Sequence, residues 1–200
     1  YVLLEKTLKL LAEQGKVLQL AKKADENARP ATLTLAYKAS ETPDPIRFLG
    51  VASELRTDKI TGLKYQAWTG EPKVYDALPQ YWEKVPALEV DVPAAYWVMP
   101  EQHQVLAKLA LHGIATTRIK SPKTIQLQQL TATQWTVAPK SFESRFMIEA
   151  QFKRDWKKIT LPAGAVRVST DQPLGRLAVA LLEPSAPDSL FHWGYMPGMF

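Results

Sequence analysis

The stretch Arg145-Phe146-Met147-Ile148-Glu149-Ala150-Gln151-Phe152-Lys153 decides the fold class. Phe146, Ile148, Ala150 and Phe152 fall on one side of an extended chain, and Arg145, Glu149, Gln151 and Lys153 on the other. A period of two identifies a half-buried strand, one face on a core and one in water. The strand is expected over Arg145–Ile159, with a companion over Thr124–Val137. Working outward, the same period appears at Thr32–Lys38, Ile46–Arg56 and Leu63–Thr69. Thr57-Asp58-Lys59-Ile60-Thr61-Gly62 is turn chemistry joining the last two as a hairpin. Residues 71–93 carry prolines at 72, 79, 86 and 93 and are expected to be extended, at a sheet edge.

Helical spacing occurs in three places. Over residues 2–24, Leu3, Leu10 and Val17 recur every seven residues, as do Leu4, Leu11 and Leu18. Glu5 and Lys9 form an i,i+4 pair in the favourable orientation, and the apolar face is wide enough to need a partner. A second helix follows Pro100-Glu101-Gln102, buries Val105, Leu106 and Leu109, and stops at Gly113. Lying between strands Ala94–Met99 and Ile114–Ile119, it forms a strand–helix–strand unit, right-handed if those strands pair in parallel. Pro162-Ala163-Gly164 is a turn before strand Ala165–Ser169. Asp171 is then expected to cap a short helix through Leu174, Leu177 and Leu181, closed by Glu183-Pro184. The fold class is α+β: mostly antiparallel sheet, sandwich or barrel-like, with an N-terminal helix, one strand–helix–strand unit and a short C-terminal helix.

Composition removes several functions. The 200 residues are 46% hydrophobic and 22% charged, with no cysteine, so disulfides and thiolate-bound zinc are excluded. No apolar run reaches the roughly 18 residues of a membrane span. The net charge of +5 is mild, with its densest clusters at Arg118–Lys123 and Lys153–Lys158. Those clusters lack regularly spaced exposed aromatics, and nucleic acid is not expected as a partner. His103, His112 and His192 stand in no His-x-x-Glu or His-Glu-x-x-His pattern, which favours structural roles over metal ligation. No Gly-x-Ser-x-Gly elbow or phosphate loop is present, and Gly194-Tyr195-Met196-Pro197-Gly198 lacks the lysine such a loop needs. Glu54, Glu149 and Asp155 are acids in or beside strands that would have to approach each other for glycoside hydrolysis. Of six tryptophans, Trp135 and Trp156 are the candidates for an aromatic binding surface, with a glycan or cell-wall polymer as ligand; core packing is the alternative.

A longer pattern begins at Tyr96-Trp97-Val98-Met99-Pro100 and continues through Leu109-Ala110-Leu111-His112-Gly113-Ile114. Next come Leu161-Pro162-Ala163-Gly164-Ala165-Val166-Arg167-Val168, Asp171-Gln172 and Arg176-Leu177-Ala178. It ends in Leu181-Leu182-Glu183-Pro184-Ser185-Ala186-Pro187-Asp188-Ser189-Leu190-Phe191-His192-Trp193-Gly194. This string resembles the non-catalytic region C-terminal to the catalytic domain in a bacterial subset of M14-type zinc carboxypeptidases. The resemblance implies residues 1–28 as the tail helix of a preceding catalytic domain and residues 29–200 as a β-rich accessory domain. It implies an upstream peptidase domain as partner of helix 2–24. Zinc and its His-x-x-Glu, His and Glu residues would belong to that domain, with no cofactor, metal ligand or catalytic residue in this chain. The start at Tyr1 suggests a cut or processed end, and the family's continuation past Trp193-Gly194 suggests another at Phe200. A periplasmic or secreted location is favoured over a cytoplasmic one. A stand-alone glycan-binding module is the competing reading.

Overall fold

Three helices and nine strands, all visible pairings antiparallel, are present in the computed structural model, which describes residues 1–196. The chain divides into two units: Tyr1–Ala36 together with Leu88 onward, and Tyr37–Ala87. Helix α1 (Val2–Asn27) begins the first unit and is longer than its periodicity requires. No residue along it is buried, and the apolar series through Leu4, Leu11 and Leu18 is exposed. β1 (Thr32–Ala39) pairs with β4 (Glu83–Asp91), so the expected proline-bearing extended segment is partly a strand.

The core of the first unit lies around a three-stranded sheet. β5 (Ala95–Val98), β6 (Thr117–Arg118) and β9 (Val166–Ser169) take the order β5-β9-β6. The strand–helix–strand unit therefore exists, but β9 enters between its two strands and pairs antiparallel with both. Its helix, α2 (His103–Leu111), buries Val105 and Leu109 completely. Gly113, at φ 73°, ends the helix. Its N–H donates to the Ala110 carbonyl, and the Ile114 N–H reaches back to that of Leu109. These two bonds define a Schellman ending, with Ile114 and Leu109 in one hydrophobic cluster.

α3 (Gly175–Leu182) packs Ala178 and Leu182 into the same interior and also buries Val179. Gly175 is required by close approach: a Cβ there would lie 1.9 Å from the Thr170 carbonyl oxygen. Asp171 does not cap α3, whose N-cap is Leu174 without a side-chain bond. Its carboxylate instead accepts from Arg29 at 2.8 Å, a partner 142 residues distant that local patterning does not disclose.

β7 (Lys123–Val137) and β8 (Ile148–Leu161) form a long ribbon with a bulge between Ala132 and Gln134. Ile148, Ala150 and Phe152 pack on the core, with Phe152 edge-on to Phe191 at 5.1 Å between ring centres. Phe146, expected on that face, is exposed and precedes the strand. Beyond Arg154 the inward positions of β8 change from even to odd residues (Asp155, Ile159, Leu161), as the twist of a two-stranded ribbon turns its faces.

The second unit is dominated by β2 (Asp44–Thr57) and β3 (Lys64–Gln80), paired with two register shifts. Asp58 accepts from the N–H groups of Ile60 and Thr61 and from the Thr61 hydroxyl, and Gly62 takes φ 72°, closing the expected hairpin. Those bonds, led by the Thr61 N–H, hold the Asp58 carboxyl below its ordinary pKa. No residue of Tyr37–Ala87 is buried.

Candidate functional site

The most specific stretch of the sequence, Leu181–Gly194, forms a polar knot around a buried carboxylate. Pro184 cannot continue α3, and the chain turns at Glu183, which is 1% exposed. Desolvating a carboxylate requires replacement partners. Arg154 Nη2 of β8 donates to Glu183 Oε1 at 2.6 Å, and Ser185 Oγ donates to the same oxygen at 2.9 Å. Tyr96 of β5 points its hydroxyl at Oε2 from 3.5 Å, at the limit of a hydrogen bond. Burial, then the Glu183 charge, pushes the Tyr96 phenol well above its usual pKa, against a lesser opposing effect of Arg154. One side chain thus joins α3, β5 and β8.

The following turn is similarly satisfied. Ser189 Oγ accepts from the His192 N–H at 3.0 Å and donates to the Pro184 carbonyl at 3.1 Å. Asp188 accepts from the Trp193 indole N–H at 3.2 Å. The His192 ring Nδ1 lies 2.9 Å from the Ile148 carbonyl oxygen, tying the turn to β8. Among the described residues every buried side-chain nitrogen and oxygen has a partner. The sequence identified the turn chemistry of Ser189 but missed the burial of Glu183. Glu183-Pro184 read as a helix stop, and acids at such a stop are ordinarily solvated.

The remaining candidates are dispersed. His103 opens α2 and His112 closes it. Among the described residues no three His, Cys, Asp or Glu side chains come together to hold a metal ion. Glu149 and Asp155 are six residues apart on β8, roughly 20 Å along a strand. That exceeds the separation of a glycosidase pair. Asp155 is engaged by Lys153 at 3.2 Å, and Glu54 by Arg56. Residues 197 and 198 of the discounted glycine-containing segment lie outside the described residues.

Trp135 and Trp156 both belong to the β7–β8 ribbon and are 50% and 68% exposed. Trp135 pairs with Ala150 and Trp156 with Gln128, seven positions away along β7. Trp135 stands near one end of the ribbon and Trp156 near its middle. A further aromatic hollow, of about 270 Å³, surrounds Gly50 on β2 and is flanked by Phe48, Trp68 and Tyr75. It depends on the β2–β3 register, which the sequence leaves open.

With this geometry in view, the chain is 27% identical over 105 residues to carboxypeptidase 2 of Trichophyton tonsurans, covering 52% of this chain and 20% of that protein. Carboxypeptidase 2 of Trichophyton rubrum is 26% identical over 112 residues, covering 56% and 21% respectively. About half of this chain is thus similar to part of carboxypeptidase 2. The chain spans about a fifth of the length of the curated relatives it matches. No family profile and no solved structure matches it. No helix among the described residues is long and apolar enough to cross a membrane.

Proposed function

We propose that this chain is the non-catalytic C-terminal accessory region of an M14-type zinc carboxypeptidase, docked on the peptidase domain through α1 and shaping access to its active site. The similarity to carboxypeptidase 2 supports the family, and the string from Tyr96 to Gly194 supports the M14 assignment and the C-terminal placement. The observation that carries the docking role is α1. Its 26 residues include Leu4, Leu8, Leu11 and Leu18 on neighbouring turns, yet none is buried. An apolar face of that extent is stable in water chiefly when something covers it. Zinc and its ligands belong, in this reading, to the peptidase domain.

The experiment is co-purification of this chain with a peptidase domain from the same reading frame. The wild-type chain is expected to associate. Leu11→Ser with Leu18→Ser removes two apolar contacts and weakens association by roughly 100-fold, while the melting temperature of the chain itself is unchanged. Association that survives the double substitution contradicts docking through α1.

A further inference from the structure

The second basic cluster of the sequence runs along β8 from the middle of the ribbon, where Lys153 pairs with Thr131, toward the end that Lys123 of the first cluster opens. Lys123 opens β7 opposite Leu161, and Lys158 pairs with Gln126. Arg118, Lys120 and Lys123 lead into β7; Lys153, Arg154, Lys157 and Lys158 lie on β8; Asp155 is the sole acid in either stretch. Seven cations against Asp155 and the Glu183 carboxylate that holds Arg154 leave a local charge of +5, equal to that of the whole chain. The rest of the molecule is therefore close to neutral, and its positive field is concentrated here.

The register also defines what one face of this ribbon end presents. Cross-strand partners share a face, so Thr124 with Thr160, Gln126 with Lys158, and Gln128 with Trp156 form three successive rows. All six residues are exposed. The two threonine hydroxyls are 2.8 Å apart. Lys158 has no ion pair among the described residues, whereas Arg154 is committed to Glu183 and Lys153 to Asp155. Trp156 is the one large apolar group of the six, an indole lying among amides, hydroxyls and an ammonium.

We propose that this face binds an acidic polysaccharide, with a uronic-acid ring on Trp156, its carboxylate on Lys158 and its hydroxyls on Gln126 and Gln128. The chemistry matches in three respects. An indole face accepts the C–H face of a pyranose. Glutamine amides both donate and accept, as vicinal hydroxyls require. The surplus of cations attracts a polyanion over distances set by salt screening. A single-stranded nucleic acid would be served better by several aromatics for successive bases. An anionic bilayer would be served better by apolar side chains around the tryptophan than by amides and hydroxyls. This inference is independent of the docking role of α1, which is on another element.

The test is binding of the intact chain to polygalacturonate, measured by calorimetry at low salt and again with added sodium chloride. Binding is expected, weakening as salt rises. Trp156→Ala should weaken it by about tenfold, the worth of one aromatic stacking contact. Lys158→Glu should abolish it, and Lys158→Arg should retain it. Each variant alters an exposed side chain, and an unchanged thermal melt verifies the fold. Neutral dextran should not bind. The proposal is overturned if polygalacturonate does not bind, or if Trp156→Ala binds it as tightly as wild type. Tighter binding of a 20-nucleotide single strand, or of vesicles containing phosphatidylserine, overturns it in favour of nucleic acid or membrane.

Discussion

Glu183 shows how one residue ties together three elements of the fold. Its carboxylate is out of water and holds Arg154 and Ser185, with the Tyr96 hydroxyl at longer range. Arg154→Met strands that charge and is expected to destabilise the fold by about 2–3 kcal/mol. The cost is lower than for a fully interior pair because Arg154 is 38% exposed. Glu183→Gln removes the charge but keeps the shape, leaves a cation that water still reaches, and should cost about 1 kcal/mol. Urea denaturation measures both, and the order of the two midpoints is the informative result. Tyr96 supplies a pH signature. Its phenol pKa is raised in the folded state by burial and by Glu183, so the folded chain keeps that proton when the unfolded chain has lost it. Its contribution to stability is complete below the ordinary phenol pKa near 10 and is lost as pH rises toward the raised folded value. Above pH 10 the wild type should lose stability more steeply than Tyr96→Phe, as followed by urea melts across that range.

At the scale of elements, the legible parts of the fold were those set by local chemistry. Gly113 ends α2 because its φ of 73° suits glycine, and the sequence marks that position without help from distant residues. Asp58 and Gly62 close their hairpin for comparable reasons, and Ser189 caps the turn after Pro184. The missed features are long-range. β9 inserts between β5 and β6, where Val166 and Val168 are almost completely buried. Asp171 serves Arg29 instead of α3, and the junction of the two basic clusters depends on the β7–β8 register. None of these contacts leaves a local pattern. The β2–β3 hairpin sets a contrast in stability: it has extensive strand pairing but no buried residue. Two-stranded ribbons without a core are marginal in water. Hydrogen exchange should therefore be faster at the amides of Phe48–Leu55 than at those of Val166–Ser169, although both sets belong to strands. Equal protection would show that the hairpin is covered.

For the whole molecule, the main hydrophobic cluster is assembled from residues 96–196, and α1 contributes nothing to it. That asymmetry is the physical basis for reading the chain as a module that completes its packing on another domain. It also separates the chemistry: the described residues contain a satisfied structural knot, a basic ribbon end and no metal-holding group. The sequence resemblance pointed to a bacterial subset of carboxypeptidases, while the relatives found are fungal and match half of the chain. The most direct measurement is release of C-terminal residues from a panel of peptides, by this chain alone and by the protein of its complete reading frame, both loaded with zinc. The account predicts release by the complete protein and none by the isolated chain. Release by the isolated chain would contradict it.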